Sequence, residues 1–280
     1  MQTVVITGGT DGLGKGLALH YLHQGARVLA VGSTPAKGEA LLAEATTLSA
    51  GDRATFLQAD LTSVTATQEL ITTIESTCSS VDKLILCAQR YRLFGPRTVT
   101  REGFEHSFAL AYLSRYFLSH GLRKTLESAP RPVIMNVGTP GIPLGRIHWD
   151  DLQLTRRYNG TQATLQSFRA NDLLGVAFAA VHANTPIRYI GYNPGVVATG
   201  MPNHLSQPLR ALTKTSFALL ATSVAKAVIP MSHLLDEPPD ERFTAYRTTR
   251  QLPLKGTAFD QDAALRLHRL TQDLVLRQGA

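Results

Sequence analysis

The densest chemical signal in the chain is Thr7-Gly8-Gly9-Thr10-Asp11-Gly12-Leu13-Gly14-Lys15-Gly16. It lies between a β-branched run, Thr3–Thr7, and a helical stretch, Gly14–Gln24. Each glycine has a use there. Gly8 lets the chain turn sharply, Gly12 removes a side chain where backbone approaches a pyrophosphate, and Gly14 permits close helix–strand packing. The helix start adds free N–H groups and a positive dipole for phosphate. The turn therefore reads as a dinucleotide cradle, with Thr10, Asp11 and Leu13 among its lining. The second strand ends Val31-Gly32-Ser33-Thr34 without an acid. An acid at that point would bond the ribose 2′-OH and repel a 2′-phosphate. Ser33 and Thr34 can donate to a phosphate and Lys15 adds charge, so NADP(H) is favoured over NAD(H).

The elements that would hold this cradle alternate along the chain. Strands are expected at Thr3–Thr7, Arg27–Val31, Thr55–Gln58, Lys83–Leu86, Pro132–Val137 and Ile187–Tyr192, with a late strand inside Phe243–Leu252. Helical patterns fall at Gly14–Gln24, Lys37–Leu48, Val64–Cys78, Glu102–Ser128, Thr164–Ala183, Ser223–Leu235 and Phe259–Arg277. Such alternation predicts an α/β fold: a doubly wound, Rossmann-like parallel sheet with helices on both faces. No repeat or linker divides residues 1–280, so a single domain is expected. Residues 200–222 fit a substrate lid that includes His204.

Composition narrows the function classes. Hydrophobic residues make up 44% and charged residues 18% of the 280, which excludes a disordered chain. Cys78 and Cys87, the only cysteines, cannot build a disulfide framework or a multi-Cys zinc site. The start lacks the pattern of a signal peptide, and no apolar stretch approaches the roughly 20 residues of a membrane span. A cytoplasmic protein with no membrane partner is expected. The net charge of +7 comes from scattered residues without interleaved aromatics. It fits attraction of an anionic cofactor better than nucleic-acid binding.

The sequence resembles the short-chain dehydrogenase/reductase superfamily over nearly its whole length. Thr7-Gly8-x-x-x-Gly12-x-Gly14 is similar to its nucleotide-binding pattern, and Asp60-Leu61 to its adenine-binding dipeptide. The segment Val81-Asp82-Lys83-Leu84-Ile85-Leu86-Cys87-Ala88 resembles the approach to its Asn-Ala-Gly motif. Pro194-Gly195-Val196-Val197-Ala198-Thr199 resembles its Pro-Gly motif, whose hydroxyl residue contacts the nicotinamide carboxamide. The stretch from Ile147 to Asn171 is similar to the retinol dehydrogenase-like branch. The resemblance implies cofactor contacts from Cys87, Ala88, Pro194, Gly195, Val197 and Thr199. It also implies a homodimer formed through Glu102–Ser128 and Thr164–Ala183.

The family's Asn-Ser-Tyr-Lys tetrad does not survive. The Asn position is Ala111, the Ser position Thr139, the Tyr position Thr164 and the Lys position Phe168; Gln89 stands where the family has a Gly. A phenol of pKa about 10 can be tuned towards neutrality by a neighbouring cation, whereas a Thr hydroxyl cannot. Thr139, Tyr158 and Thr164 are the candidate catalytic hydroxyls. Arg90 and Tyr91 follow the fourth strand, at the sheet edge where such folds bind ligands. Tyr112 and Arg115 follow the lost Asn, and a packing role fits them as well. His148, Asp150 and Asp151 could form an acid–base or metal cluster, though a structural loop suits them better. No metal is expected.

Three readings follow. The first is an NADP(H)-dependent oxidoreductase acting on a small organic substrate, of the secondary-metabolite kind, without the usual Tyr-Lys acid. Reduction of an already cationic iminium would tolerate that loss. The second is a non-redox cyclase, isomerase or eliminase on the same scaffold. The third is an inactive NADP(H) sensor.

Overall fold

The computed structural model describes residues 1–197 and 222–278. Thr199, His204 and the expected lid, apart from Thr222, fall outside the described residues.

Eight strands form one sheet: β1 (Thr3–Thr7), β2 (Arg27–Gly32), β3 (Ala54–Gln58), β4 (Lys83–Leu86), β5 (Val133–Val137), β6 (Arg188–Asn193), β7 (Phe243–Arg247) and β8 (Arg250–Gln251). Their order is β3-β2-β1-β4-β5-β6-β7-β8. All pairings are parallel except β7 with β8. The chain direction of crossovers reverses between β1 and β4, and a crevice opens there at the carboxyl ends of the strands.

The strands are buried on both faces, as continuous apolar runs such as Val4-Val5-Ile6 require. Val5, Leu84 and Ile134 point to one core; Val4, Ile6, Ile85 and Met135 point to the other. The first core is covered by α3 (Val64–Thr77), α5 (Ser114–Gly121) and α7 (Gly160–Val181). The second is covered by α1 (Gly12–His23), α2 (Pro35–Thr47) and α8 (Val224–Asp236).

The helix expected over Glu102–Ser128 is instead a series of short pieces. These are α4 (His106–Phe108), a π-helical segment (Ala109–Leu113), α5 and α6 (Arg123–Glu127). The π turn is centred on Ala111, the lost Asn position. Such bulges concentrate at functional sites because they rotate the side chains that follow.

The C-terminal helix α9 (Gln261–Gln278) lies over α7 and the π-helical segment. Tyr112 and Thr271 share a hydroxyl hydrogen bond of 2.8 Å, and Arg266 sits 4.4 Å over the Trp149 ring. Much of the helical face assigned to a partner chain is therefore covered from within. Tyr112 is fully buried in this contact, so its role is packing.

Candidate active site

The glycine turn has the geometry of a phosphate cradle. A Cβ on Gly14 would lie 2.2 Å from the Gly8 carbonyl oxygen, a contact no side chain can make. Gly8 and Gly12 have φ of +66° and +51°, in the left-handed region that favours glycine. Asp11 caps α1 by accepting from the Gly12 N–H at 2.8 Å. Thr7 fastens the turn to the next crossover: its Oγ1 accepts from the Ala88 N–H at 3.2 Å, and its carbonyl from Cys87. Glycine turn, helix start and Ala88 thus meet at the crevice, and they fit a dinucleotide.

The cation beside this cradle is not the one expected. Lys15 turns away to pair with Glu44 at 2.5 Å. Lys37, in the first turn of α2, reaches over the glycine turn and pairs with Asp11, whose carboxyl it holds below the ordinary range. A lysine at a helix N-terminus opposes the helix dipole, and that position was the available signal in the sequence. Thr34 precedes α2 without using its hydroxyl as a cap, and Ser33 beside it is exposed. Ser33, Thr34, Lys37 and the start of α2 make one polar edge at the end of β2. Asp60 is exposed and accepts from both the N–H and the hydroxyl of Thr62, while Leu61 is buried beneath it.

The Pro-Gly turn leaves β6 with Gly195 at φ +74°, its N–H donated to Asn193 Oδ1 at 2.8 Å. Val197 is buried and pairs as a parallel bridge with Thr222.

Between the strand ends and α7 lies a small cavity of about 10 Å³, room for one water. Gln89, Arg115, Asn136, Thr139, Phe168 and Asp172 are among its lining. Arg115 dominates it. The side chain is 2% exposed, yet its guanidinium makes no ion pair with any described carboxylate. It donates to the Val137 carbonyl at 2.8 Å, the Ala88 carbonyl at 3.0 Å, Gln89 Oε1 at 3.1 Å and Asn136 Oδ1. Its Nε has no partner among the described residues. Asn136 in turn donates to Asn171 Oδ1 and the Tyr189 hydroxyl, and Asn171 donates to the Ala111 carbonyl at 2.7 Å. The backbone at the lost Asn is therefore tied into the site by α7.

The three candidate hydroxyls part company. Thr139 lines the cavity, and its Oγ1 has no partner among the described residues. Thr164 is buried, its Oγ1 without a partner among the described residues, but it is not in the cavity wall, which Phe168 one turn later does reach. Tyr158 donates to Glu105 at 3.2 Å, so its proton is committed to that carboxylate; burial and the Glu105 charge raise its pKa. Tyr158 is thereby removed from the catalytic set.

The remaining sequence candidates also resolve. Cys87 is desolvated, its thiol pushed up to about 12, so it is no nucleophile. Arg90 is exposed. His148 hydrogen-bonds Gln162, and Asp151 closes a turn on Thr155 and Arg156, so this loop is stapled down rather than poised for acid–base work. Among the described residues no His, Cys, Asp and Glu cluster could hold a metal.

Sequence reasoning missed Asp172. It accepts from the Gly141 N–H with both oxygens, at 3.2 and 3.3 Å, and burial pushes its pKa up to about 8. A lone acid on the apolar face of α7, between Asn171 and Leu173, was its signal.

Comparison with known proteins agrees with this geometry. The short chain dehydrogenase family model matches residues 2–210, and the chain belongs to that family. Members bind a nicotinamide cofactor and act as oxidoreductases on small molecules. Among similar proteins is one of Streptomyces sp. (strain C5) provisionally assigned as a daunorubicin C-13 ketoreductase. It is 28% identical over 95% of this chain and 90% of its own length. Human retinol dehydrogenase 13 is 26% identical over 95% and 82%, and human polyprenol dehydrogenase 26% over 82% and 73%. Among solved structures, an uncharacterized protein of Mycobacterium paratuberculosis superposes with a TM-score of 0.68 at 23% identity, covering 98% of this chain and 93% of its own. A short-chain dehydrogenase of Shigella flexneri, solved with NADP, gives 0.67 at 15%, covering 89% and 97%.

Proposed function

We propose that this chain is an NADP(H)-dependent reductase of a carbonyl or iminium group in a small organic molecule. The observation that carries the reading is the polar edge at the end of β2. A free hydroxyl pair, a helix start and the Lys37 ammonium stand where a carboxylate would select NAD(H). Bound there, a reduced nicotinamide would supply a hydride to an electrophilic carbon. The chain's own part is to orient the cofactor and supply the proton. Gly8, Gly12, Gly14 and the start of α1 hold the pyrophosphate. Asp60 and Leu61 flank the adenine, and Ala88, Pro194, Gly195 and Val197 the nicotinamide end; Thr199 joins them on the family pattern. Thr139 offers its free hydroxyl to the substrate oxygen.

The similarity to a protein provisionally assigned as a daunorubicin ketoreductase and to dehydrogenases of retinol and polyprenol supports a lipophilic ring or chain as substrate. The replaced tetrad is the one observation that favours the non-redox reading, since neither Thr164 nor Phe168 can move a proton.

Fluorescence titration with NADPH and NADH tests the proposal. NADPH is expected to bind at least about tenfold more tightly, a difference of roughly 1.4 kcal/mol. Lys37→Glu should remove that preference while leaving NADH binding unchanged. Binding of neither nucleotide would move the non-redox reading ahead.

A further inference from the structure

We propose that Tyr91 is the proton donor of this active site and Arg115 the positioning residue that holds its phenolate. The inference rests on the reductase reading and deepens it, by naming the group that takes over from the lost pair on α7.

The argument starts with Arg115. Burying a guanidinium away from water costs several kcal/mol unless a negative charge compensates it. Here four neutral acceptors surround the group and no described carboxylate does. A fixed cation of this kind is well suited to a negative charge that exists only during reaction. Its location is specific. One terminal nitrogen is anchored on the Ala88 carbonyl and on Gln89, three and two residues before Tyr91.

Tyr91 is then placed by Phe168. The two rings meet edge to face at 5.6 Å, and Phe168 stands at the family's Lys position. Phe168 and Arg115 both line the cavity with Thr139. Tyr91 is half-buried, and its hydroxyl has no hydrogen-bond partner among the described residues. The phenol has thus moved from α7 to the loop after β4, and the cation from α7 to α5. The altered positions match each other: a Lys at 168 would place an ammonium where the Tyr91 ring now packs.

The competing acids are committed elsewhere. Tyr158 is bonded to Glu105, and Asp172, though it lines the cavity, has both oxygens on the Gly141 N–H. Burial holds the Tyr91 phenol above its ordinary range, and the Arg115 guanidinium opposes that rise only in part.

The step balances. With a reduced nicotinamide dinucleotide bound, the carbonyl carbon gains a hydride and its oxygen takes the Tyr91 proton. The phenolic O–H bond breaks as the alcohol O–H bond forms. The Arg115 charge stabilises the phenolate left behind until solvent returns a proton.

The test is the ionisation of Tyr91, read at 295 nm as wild type minus Tyr91→Phe, in protein free of cofactor. Subtraction removes Tyr189 and Tyr112, which also lie near Arg115 or its helix; the Cys87 thiolate does not absorb there. Arg115→Gln should raise the Tyr91 transition by about one pH unit, and Arg115→Lys should restore it. Saturating NADP+, which adds a positive nicotinamide ring, should lower the wild-type transition, and neutral NADPH should not. The NADP+ shift needs no Arg115 variant, so it decides the matter if Arg115→Gln does not fold. A transition that ignores both Arg115 and NADP+ overturns the proposal. A protein that binds neither nucleotide fails the reductase reading instead, and the Arg115 dependence still reports on the pair.

Discussion

Asp172 carries a carboxyl into the packed face of α7, where little water can reach it, the Gly141 N–H is its hydrogen-bond donor and the Arg169 charge only partly offsets its burial. Its folded pKa, about 8, lies far above the ordinary value of 3.8. The sign of its effect on stability follows by linkage. Below pH 4 the carboxyl is neutral whether the chain is folded or not, and it costs nothing. As pH rises towards 8 the unfolded chain releases the proton and the folded chain keeps it, so stability falls across that window and then levels off. Asp172→Asn, which keeps the shape and cannot ionise, should therefore gain on wild type between pH 4 and pH 8. Thermal melts at pH 5 and pH 8.5 would show it as a melting-temperature difference that widens by at least a few degrees. Arg115 answers the opposite change. Arg115→Met strands four buried acceptors, and the expected loss is about 2–5 kcal/mol in urea unfolding.

The helices α5, α7 and α9 meet at a cluster of three histidines. His120 on α5 shares a hydrogen bond of 2.9 Å with His182, just after α7, and its ring lies 5.2 Å from that of His268 on α9. Burial, then His268, His182 and Arg123, pull its pKa down to about 3. Glu127 next to Arg123, the Tyr116 hydroxyl on His268 and the Arg269 charge near His268 also bear on the cluster. A depressed histidine stabilises above its unfolded pKa of about 6.5, and that stability is lost as pH falls towards 3. The docking of α9 should loosen first, seen as faster amide exchange in α9 at pH 5 than at pH 7. His120→Phe should flatten that pH dependence. Little of this cluster was legible beforehand. His120, His182 and His268 are far apart in the chain, and only the covering of α7 by α9 unites them. The strands were legible almost to the residue, because Val4-Val5-Ile6 and its counterparts are short apolar runs bounded by turn residues. The break at Ala111 was not, because the carbonyl it frees is taken by Asn171 on α7, 60 residues away, a partner that local propensity does not carry. The cofactor cradle was legible in its glycines, since Gly14 admits no side chain. Lys37 was missed because its partner Asp11 is 26 residues away.

Across the whole molecule the two ends of the nucleotide site are joined by the sheet itself. The glycine turn leaves β1, Lys37 follows β2, Ala88 follows β4, and the Pro-Gly turn follows β6. A ligand that spans these strand ends binds only when all of them are in register, so it stabilises the fold as a unit. At a free NADPH concentration one hundred times its dissociation constant the expected gain is about 2.7 kcal/mol. For a domain of this size that is a rise of several degrees in Tm. Gly14→Ala separates the site from the scaffold. The added Cβ would stand 2.2 Å from the Gly8 carbonyl, so the turn must open, while the strands behind it keep their own pairings. The variant should melt as one cooperative unit and show no NADPH-dependent rise. A wild-type rise with NADPH that Gly14→Ala retains would mean that the nucleotide binds somewhere other than the crevice between β1 and β4. Lys37 and Tyr91 would then both lose the roles argued for them, since each depends on the cofactor lying along that crevice.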